Sequence, residues 1–358
     1  MPRSTVARID LAALRHNYRF ASERAGSAQA MAVVKADGYG HGIGEVARAL
    51  AEEAPKYAVA CLEEAEAIRD AGLVQPVAML QGVHAPEDYD RCTARGFEPV
   101  VHSAHQLDWL EQTEARPTYW VKVNSGMNRL GFHPDELAQV MGRLGHMGAR
   151  PGLLGFVTHF ACADDPASPM TLEQTRCFEA ATAPWPEVMR SVGNSAAHFI
   201  HGQPLYDWSR PGIMLYGGSP VLNRTGPELG LQPVMSLEAP LITARTVRAG
   251  ESIGYGAGFV AEQDTRMGMV AIGYGDGYPR HAGTGTPAAI GGQRIRLLGR
   301  VSMDMLAVDL SNAPAAKAGD SVELWGATVG VDEVARCAGT IAYELLTGIT
   351  ARVPRAYR

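Results

Sequence analysis

The sequence predicts an α/β protein: an N-terminal (β/α)8 TIM-type barrel followed by a mainly β C-terminal domain. Three observations predict it. Before residue 210, short apolar runs alternate with amphipathic helical patterns, and eight such runs can be counted. Polar residues cluster at the ends of those runs, where a barrel gathers its catalytic groups. After Gly217 the texture changes to alternating or continuous apolar segments separated by Gly and Asp turns, which reads as β structure. A chain of 358 residues is long for one core, and a barrel of roughly 200 to 250 residues plus a second domain fits that length. Because the eighth run is short, a doubly wound parallel sheet is the structural alternative.

Taken in order, the chain opens with an extended stretch at 5–9, after which Asp10 caps an amphipathic helix carrying Leu11, Leu14 and Tyr18. Candidate barrel strands follow at 31–34, 57–60, 77–80, 98–101, 118–123, 154–158, 188–192 and 207–209. Helical patterns at 43–53, 62–71, 87–95, 104–112, 134–144 and 172–181 separate most of them. Residues 221–232, rich in Gly, Pro and Asn, read as a linker. Beyond it, 235–247, 267–272, 288–298, 305–310 and 321–324 are candidate strands, and helices at 332–338 and 341–346 close the pattern. The expected domains are 9–230 and 231–358, with residues 1–8 pairing with the second.

Composition excludes several classes. Hydrophobic residues make up 46% and charged residues 20%, as in a soluble globular protein, and a formal net charge of -6 gives no reason to expect nucleic acid as a partner. No apolar run suits a signal peptide or the ~20 residues of a membrane span, so a cytoplasmic location and no membrane partner are expected. Cys61, Cys92, Cys162, Cys177 and Cys337 are odd in number and scattered, which reads as reduced thiols. None of the eleven histidines forms an HxH or HExxH pattern, so no metal site is expected.

Candidate chemistry starts at Lys35, which ends the first strand in AVVKADGYGHG and precedes a turn with Asp37, Gly38, Tyr39 and Gly40. Desolvation at such a strand mouth lowers a lysine pKa from about 10.4 toward neutrality and makes its amine a nucleophile or base. Alone, it reads more simply as a side chain snorkelling from a strand end. On the barrel frame, however, Lys122 lies in strand five, His159 ends strand six, Asn194 and Ser195 follow strand seven and Arg210 follows strand eight, all toward one pocket. The loops GNSAA and SRPGIMLYGG offer the Ser195 hydroxyl and the backbone N–H groups of Gly212 and Ile213 near a helix start, which suits a phosphate dianion. A lysine facing that cradle fits pyridoxal 5'-phosphate (PLP), whose aldehyde condenses with a lysine amine. A sugar-phosphate aldolase is the competing barrel chemistry.

Eight segments extend this reading: AVVKADGYGHG at Lys35, VNSGMNRLGF at Arg129, THF at His159, GNSA at Ser195, SRPGIMLYG at Arg210, IGYGAGF at Tyr255, IGYGDGYPR at Tyr274 and GRVSMDM at Met303. In this order, from Arg8 to about Arg355, they resemble the alanine racemases. The resemblance implies a PLP-dependent fold-type III isomerase that interconverts L- and D-alanine, supplying D-alanine for cell-wall peptidoglycan or consuming it in catabolism. It also implies a head-to-tail homodimer in which the partner's β domain completes each active site. Lys35 is then the PLP lysine and one base, and Tyr255 from the partner is the other. Tyr39, Ser195, Gly212 and Ile213 would hold the phosphate, Arg210 would meet the pyridine nitrogen, and His159 would bond to Arg210. Arg129 and the Met303 backbone would position the substrate carboxylate, with Tyr274 beside a small side-chain pocket. Lys122 matches the position where family members can carry a carbamylated lysine.

Two bases on opposite faces of a cofactor suit racemisation, because the α-proton leaves one face of the carbon and returns to the other. One departure stands out. Some family members have a tyrosine immediately before the RVPR segment, where this chain has Ala351, and nothing in the sequence gives nearby Tyr343 that role. A racemase of different substrate range, a PLP-dependent decarboxylase and a non-enzymatic PLP-binding barrel are the competing readings.

Overall fold

The computed structural model describes residues 4–149, 152–200 and 202–358, so residues 1–3 of the segment expected to pair with the second domain lie outside the described residues. The N-terminal half is a parallel sheet in which Tyr57–Val59, Val77–Met79, Phe97–Val101, Tyr119–Lys122, Leu153–Val157, Met189–Ser191 and Trp208–Ser209 pair in sequence order. The first strand differs from the expected 31–34 by starting earlier and falling into two pieces, Gln29–Ala30 and Ala32–Val33. Its backbone explains why. The N–H groups of Gln29, Met31 and Val33 point to Asp207, Ser209 and Pro211 on the eighth strand's side, while those of Ala32 and Val34 point to Lys56 and Ala58 on the second's. One strand thus serves both neighbours and closes the barrel, which disposes of the doubly wound alternative, whose sheet would have open edges.

Helices cover the outside by the usual spacing. Leu137–His146, for example, buries Leu137, Val140, Met141 and Leu144, a stripe at i, i+3, i+4 and i+7. At the end of the barrel opposite Lys35, the Lys56 ammonium meets the Glu98 carboxylate at 2.6 Å. The Trp120 indole N–H donates to the same carboxylate oxygen at 2.9 Å, and the ammonium lies 5.1 and 4.7 Å from the ring centroids of Trp120 and Trp208. Both charges are buried, so each depends on the other and on these indoles.

The C-terminal half is built on the long strand Met235–Val247, which pairs antiparallel with Thr265–Val270, Ser321–Trp325 and Val6–Ile9. Asp10, directly after Val6–Ile9, caps the first helix by accepting from the N–H groups of Ala12 and Ala13. Three local expectations need correction. The apolar stretch at 288–298 is not one strand but a hairpin, Pro287–Ile290 and Gln293–Leu298, turned by Gly291 and Gly292 at φ 57 and 78°. A short strand, Arg355–Tyr357, follows the closing helices and pairs parallel with Val6–Ile9. The 221–232 stretch is tied down, because the Ser219 and Gly226 N–H groups donate to the Asp332 carboxylate at 3.0 and 2.8 Å. Among the described residues, no helix is long and apolar enough to cross a membrane.

Candidate active site

Lys35 leaves the first strand into an unusual turn. Ala36, Asp37, Gly38 and Tyr39 all lie near φ 52–61° and ψ 41–52°, one turn of left-handed helix. Each non-glycine residue there costs about 1–2 kcal/mol, so the turn needs external support. It has support on several sides. Ala36 N–H donates to Glu64 Oε1 at 2.7 Å, Ile43 N–H to Asp37 Oδ1 at 2.8 Å, and Arg355 Nε to the Gly40 carbonyl at 3.1 Å. Gly40 lies against the Leu346 carbonyl, where a Cβ would collide with it. The result is that Tyr39 turns inward and stacks on Tyr216 at 4.7 Å. Burial, with Arg129 next, lowers the Lys35 amine from its usual pKa, Glu64 opposes that shift, and Arg210 adds to it.

The loops after strands seven and eight meet Tyr39. Gly212 N–H donates to Ser195 Oγ at 2.8 Å and Met214 N–H to the same oxygen at 3.4 Å, while Ile213 opens the short 3-10 helix Ile213–Tyr216. A Cβ on Gly212 would collide with the Tyr39 hydroxyl, so only glycine lets that hydroxyl reach this backbone. Tyr39, Ser195, Gly212 and Ile213 therefore form one polar cradle. Burial holds the Tyr39 hydroxyl protonated by raising its pKa.

Arg210 is buried and fixed by the ends of strands six and seven. It donates to Thr158 O and Ser191 Oγ, each at 2.5 Å, and its NH2 lies 3.4 Å from His159 Nδ1. Burial and then Arg210 push His159 well below the usual imidazole pKa, so the ring is neutral. An arginine cannot accept, so Nδ1 takes the lone-pair role and Nε2 carries the proton. The guanidinium stays charged although burial brings its pKa down to about 10.

Lys122 lies at the end of strand five, and its amine is pushed down to about 7 by burial, then by Arg210, Arg129 and Lys35. The loop carrying Arg129 folds back over it, with Asn124 N–H donating to Phe132 O at 2.8 Å and Phe132 N–H to Lys122 O at 2.9 Å. Lys35, Lys122, Arg129, Arg210 and His159 thus share one electropositive mouth. It opens on a cleft of about 500 Å³ lined by Met127, His159, Asp164, Asn194 and Tyr343 among others.

Tyr255, Tyr274 and Met303 stand elsewhere in the chain. They are 72, 39 and 53% exposed on the C-terminal domain, Tyr255 on the short turn between Ser252–Ile253 and Phe259–Val260. Tyr274 and Met303 are neighbours, because Tyr274 N–H donates to Ser302 O at 3.1 Å and Gly275 N–H to Met303 O at 2.8 Å. Tyr255 lines a second cleft with Arg300, Ser302 and Met305, and among the described residues this cleft shares no lining residue with the barrel-mouth cleft.

Comparison with known proteins bears on this arrangement. The family model for the alanine racemase N-terminal domain matches residues 9–220, and that for the C-terminal domain matches residues 234–357. The chain belongs to the alanine racemase family. An alanine racemase of Marinobacter nauticus is 68% identical over 357 residues, covering 100% of both chains. The crystal structure of the biosynthetic alanine racemase from Pseudomonas aeruginosa matches at a TM-score of 0.94 and 46% identity, covering 99% of each chain. That of an alanine racemase from Bartonella henselae with covalently bound pyridoxal phosphate matches at 0.90 and 26%, covering 100% of each.

Three residues around the barrel mouth escape sequence reading. Tyr343 is one, a residue to which no sequence motif assigns a role: its ring lies 6.1 Å from that of Tyr39, and it lines the barrel-mouth cleft. It comes from the helix Ala342–Thr347, which packs on the Lys35 turn. Gln174 is another. Its buried amide accepts from Ala161 N–H at 2.9 Å and donates to His159 O at 3.0 Å, with Ser125 Oγ at 3.4 Å, tying the His159 loop to the Arg129 loop. Glu64 is the third. Each sits on a helix face with no local motif, and only the closed barrel brings it to the mouth.

Proposed function

We propose that the chain interconverts L- and D-alanine with PLP, using Lys35 and Tyr255 of the partner subunit as bases on opposite faces of the substrate. The observation that carries this reading is the convergence of Lys35, with its lowered pKa, on Arg210 and on the cradle of Tyr39, Ser195 and Gly212. The residues fit PLP: backbone N–H groups, a hydroxyl and a phenol suit its phosphate, and a fixed arginine suits its ring nitrogen. Bound there, the cofactor would supply an aldehyde that holds the amino acid and a conjugated ring that spreads the charge left when the α-proton departs.

Everything else falls to the protein. Lys35 takes or returns a proton on the side of the barrel. Arg210, unable to yield its proton readily, leaves the ring nitrogen without one and so moderates the ring's pull on electrons. Arg129, with the Met303 backbone, holds the substrate carboxylate away from both bases. Lys122, with a pKa near 7, offers the neutral amine that carbon dioxide requires, and its carbamate would present oxygens to Arg129. Such a modification turns an electrostatic repulsion between two cations into an attraction.

The outward-facing Tyr255, Tyr274 and Met303 support a head-to-tail homodimer, since their exposure in one chain suits side chains that complete another copy's mouth. Tyr255→Phe tests the pairing of bases. Proton abstraction from L-alanine should fall by at least about a hundredfold, as loss of a general base does, and that from D-alanine far less. Equal losses in both directions of solvent isotope exchange would sink the assignment.

A further inference from the structure

We propose that Glu64 is a positioning residue for racemisation: its carboxylate fixes the turn that carries Lys35 and stands as the counter-charge to that amine. The proposal rests on the PLP-dependent reading above. Its basis is geometric. Glu64 Oε1 accepts from Ala36 N–H at 2.7 Å, and Oε2 accepts from Ala60 N–H at 2.7 Å. One carboxylate therefore spans the ends of the first two barrel strands, with an oxygen committed to each.

A helix cap does not account for this pattern. Glu64 lies in the first turn of Leu62–Asp70, so its bond to Ala60, the residue before the Cys61 cap position, is local to that helix start. Its bond to Ala36, 28 residues away, is not. Ala36 follows Lys35 directly and begins the left-handed turn at φ 53°, where a charge-assisted hydrogen bond offsets the conformational cost. Removing that bond would let the peptide after Lys35 relax and move the amine.

The charges point the same way. The Lys35 amine faces Arg129 from the loop after strand five, Lys122 from strand five itself, and Arg210 and neutral His159 from the eighth and sixth strand ends. Glu64 is the carboxylate set among these cations. Without it Lys35 would hold a proton less well, and an amine that must both take and return a proton would be biased toward the neutral form.

The test compares Glu64→Gln and Glu64→Asp with the parent in the full-length protein. Glutamine keeps the reach but loses the charge and turns an amide N–H toward one of the two backbone donors. Aspartate keeps the charge but is a methylene short of spanning both. In protein freed of PLP, the pH dependence of Lys35 modification by trinitrobenzenesulfonate is read by peptide mass spectrometry. The midpoint should fall by about one unit in Glu64→Gln, a tenfold change in neutral fraction, and stay near the parent value in Glu64→Asp. The PLP dissociation constant should rise about tenfold in both, with kcat falling more than KM for alanine. A Glu64→Gln protein that is less stable to heat yet keeps the parent midpoint and PLP affinity overturns the proposal. Absence of alanine interconversion in the PLP-loaded parent would instead refute the racemase reading, while the Lys35 midpoint would still decide the role of Glu64.

Discussion

Mixing two inactive variants tests whether the site is shared between copies. Lys35→Ala removes the amine at the barrel mouth, and Tyr255→Phe removes the hydroxyl on the C-terminal domain, so in the proposed homodimer each variant alone has two broken sites. In a mixed dimer one site inherits both lesions, whereas the other takes Lys35 from one subunit and Tyr255 from the other and is whole. After equal mixing and free exchange, half the dimers are mixed and each has one good site of two. Activity should therefore recover to about a quarter of the parent value, a figure set by two-fold symmetry alone. That any recovery is expected rests on the placement of Tyr255, 72% exposed and in a cleft apart from Lys35. The assay is coupled alanine racemisation before and after mild dissociation and reassociation of the two purified variants. If each active site were complete within one chain, mixing would restore nothing, and the reasoning from exposure would fall.

Three further outcomes are expected. Gly212→Ala should raise the PLP dissociation constant by about tenfold or more in an absorbance titration, since a Cβ there meets the Tyr39 hydroxyl and overpacking costs about 1–3 kcal/mol. Lys56→Met should destabilise the protein by about 3–5 kcal/mol in urea, because Glu98 is left charged and buried, while alanine turnover stays unchanged at the far end of the barrel. For Lys122 the folded pKa, about 7, lies below its ordinary value of 10.5, so the unfolded chain binds the extra proton between those limits and stability rises with pH across that window. In carbon dioxide-free, PLP-free protein, Lys122→Met should therefore stabilise by about 2 kcal/mol at pH 6 and by roughly half that at pH 9, and an equal gain at both would refute it.

How much of this could be read from the sequence depended on the range of the interaction. Lys35, His159 and Arg210 follow apolar strands directly, so the period of the barrel was enough to bring them to one mouth. Ser195 and Gly212 were legible for the same reason, as loop residues after strands seven and eight. Tyr343 was not, because its helix lies more than 300 residues from Tyr39 and nothing local to IAYELL signals an active site. Glu64 and Gln174 look like ordinary polar positions on amphipathic helices until the barrel closes and their amide and carboxylate groups meet backbone from other strands. The split first strand and the Gly291–Gly292 hairpin were missed for a different reason. Apolar content marks where a strand runs, but the partner of each backbone N–H decides where it is counted and where it turns.

The zipped ends of the chain constrain its biosynthesis. Val6–Ile9 lies between Met235–Val247 and Arg355–Tyr357, and Arg355 also supports the Gly40 carbonyl of the Lys35 turn. On a ribosome Val6–Ile9 must wait for more than 340 further residues before it finds its second neighbour, a pairing of extreme sequence separation. The Lys35 turn lacks this outer brace until Arg355, 315 residues after Gly40, has been added. A nascent chain would thus carry a barrel whose Lys35 turn stays unbraced until Arg355 emerges.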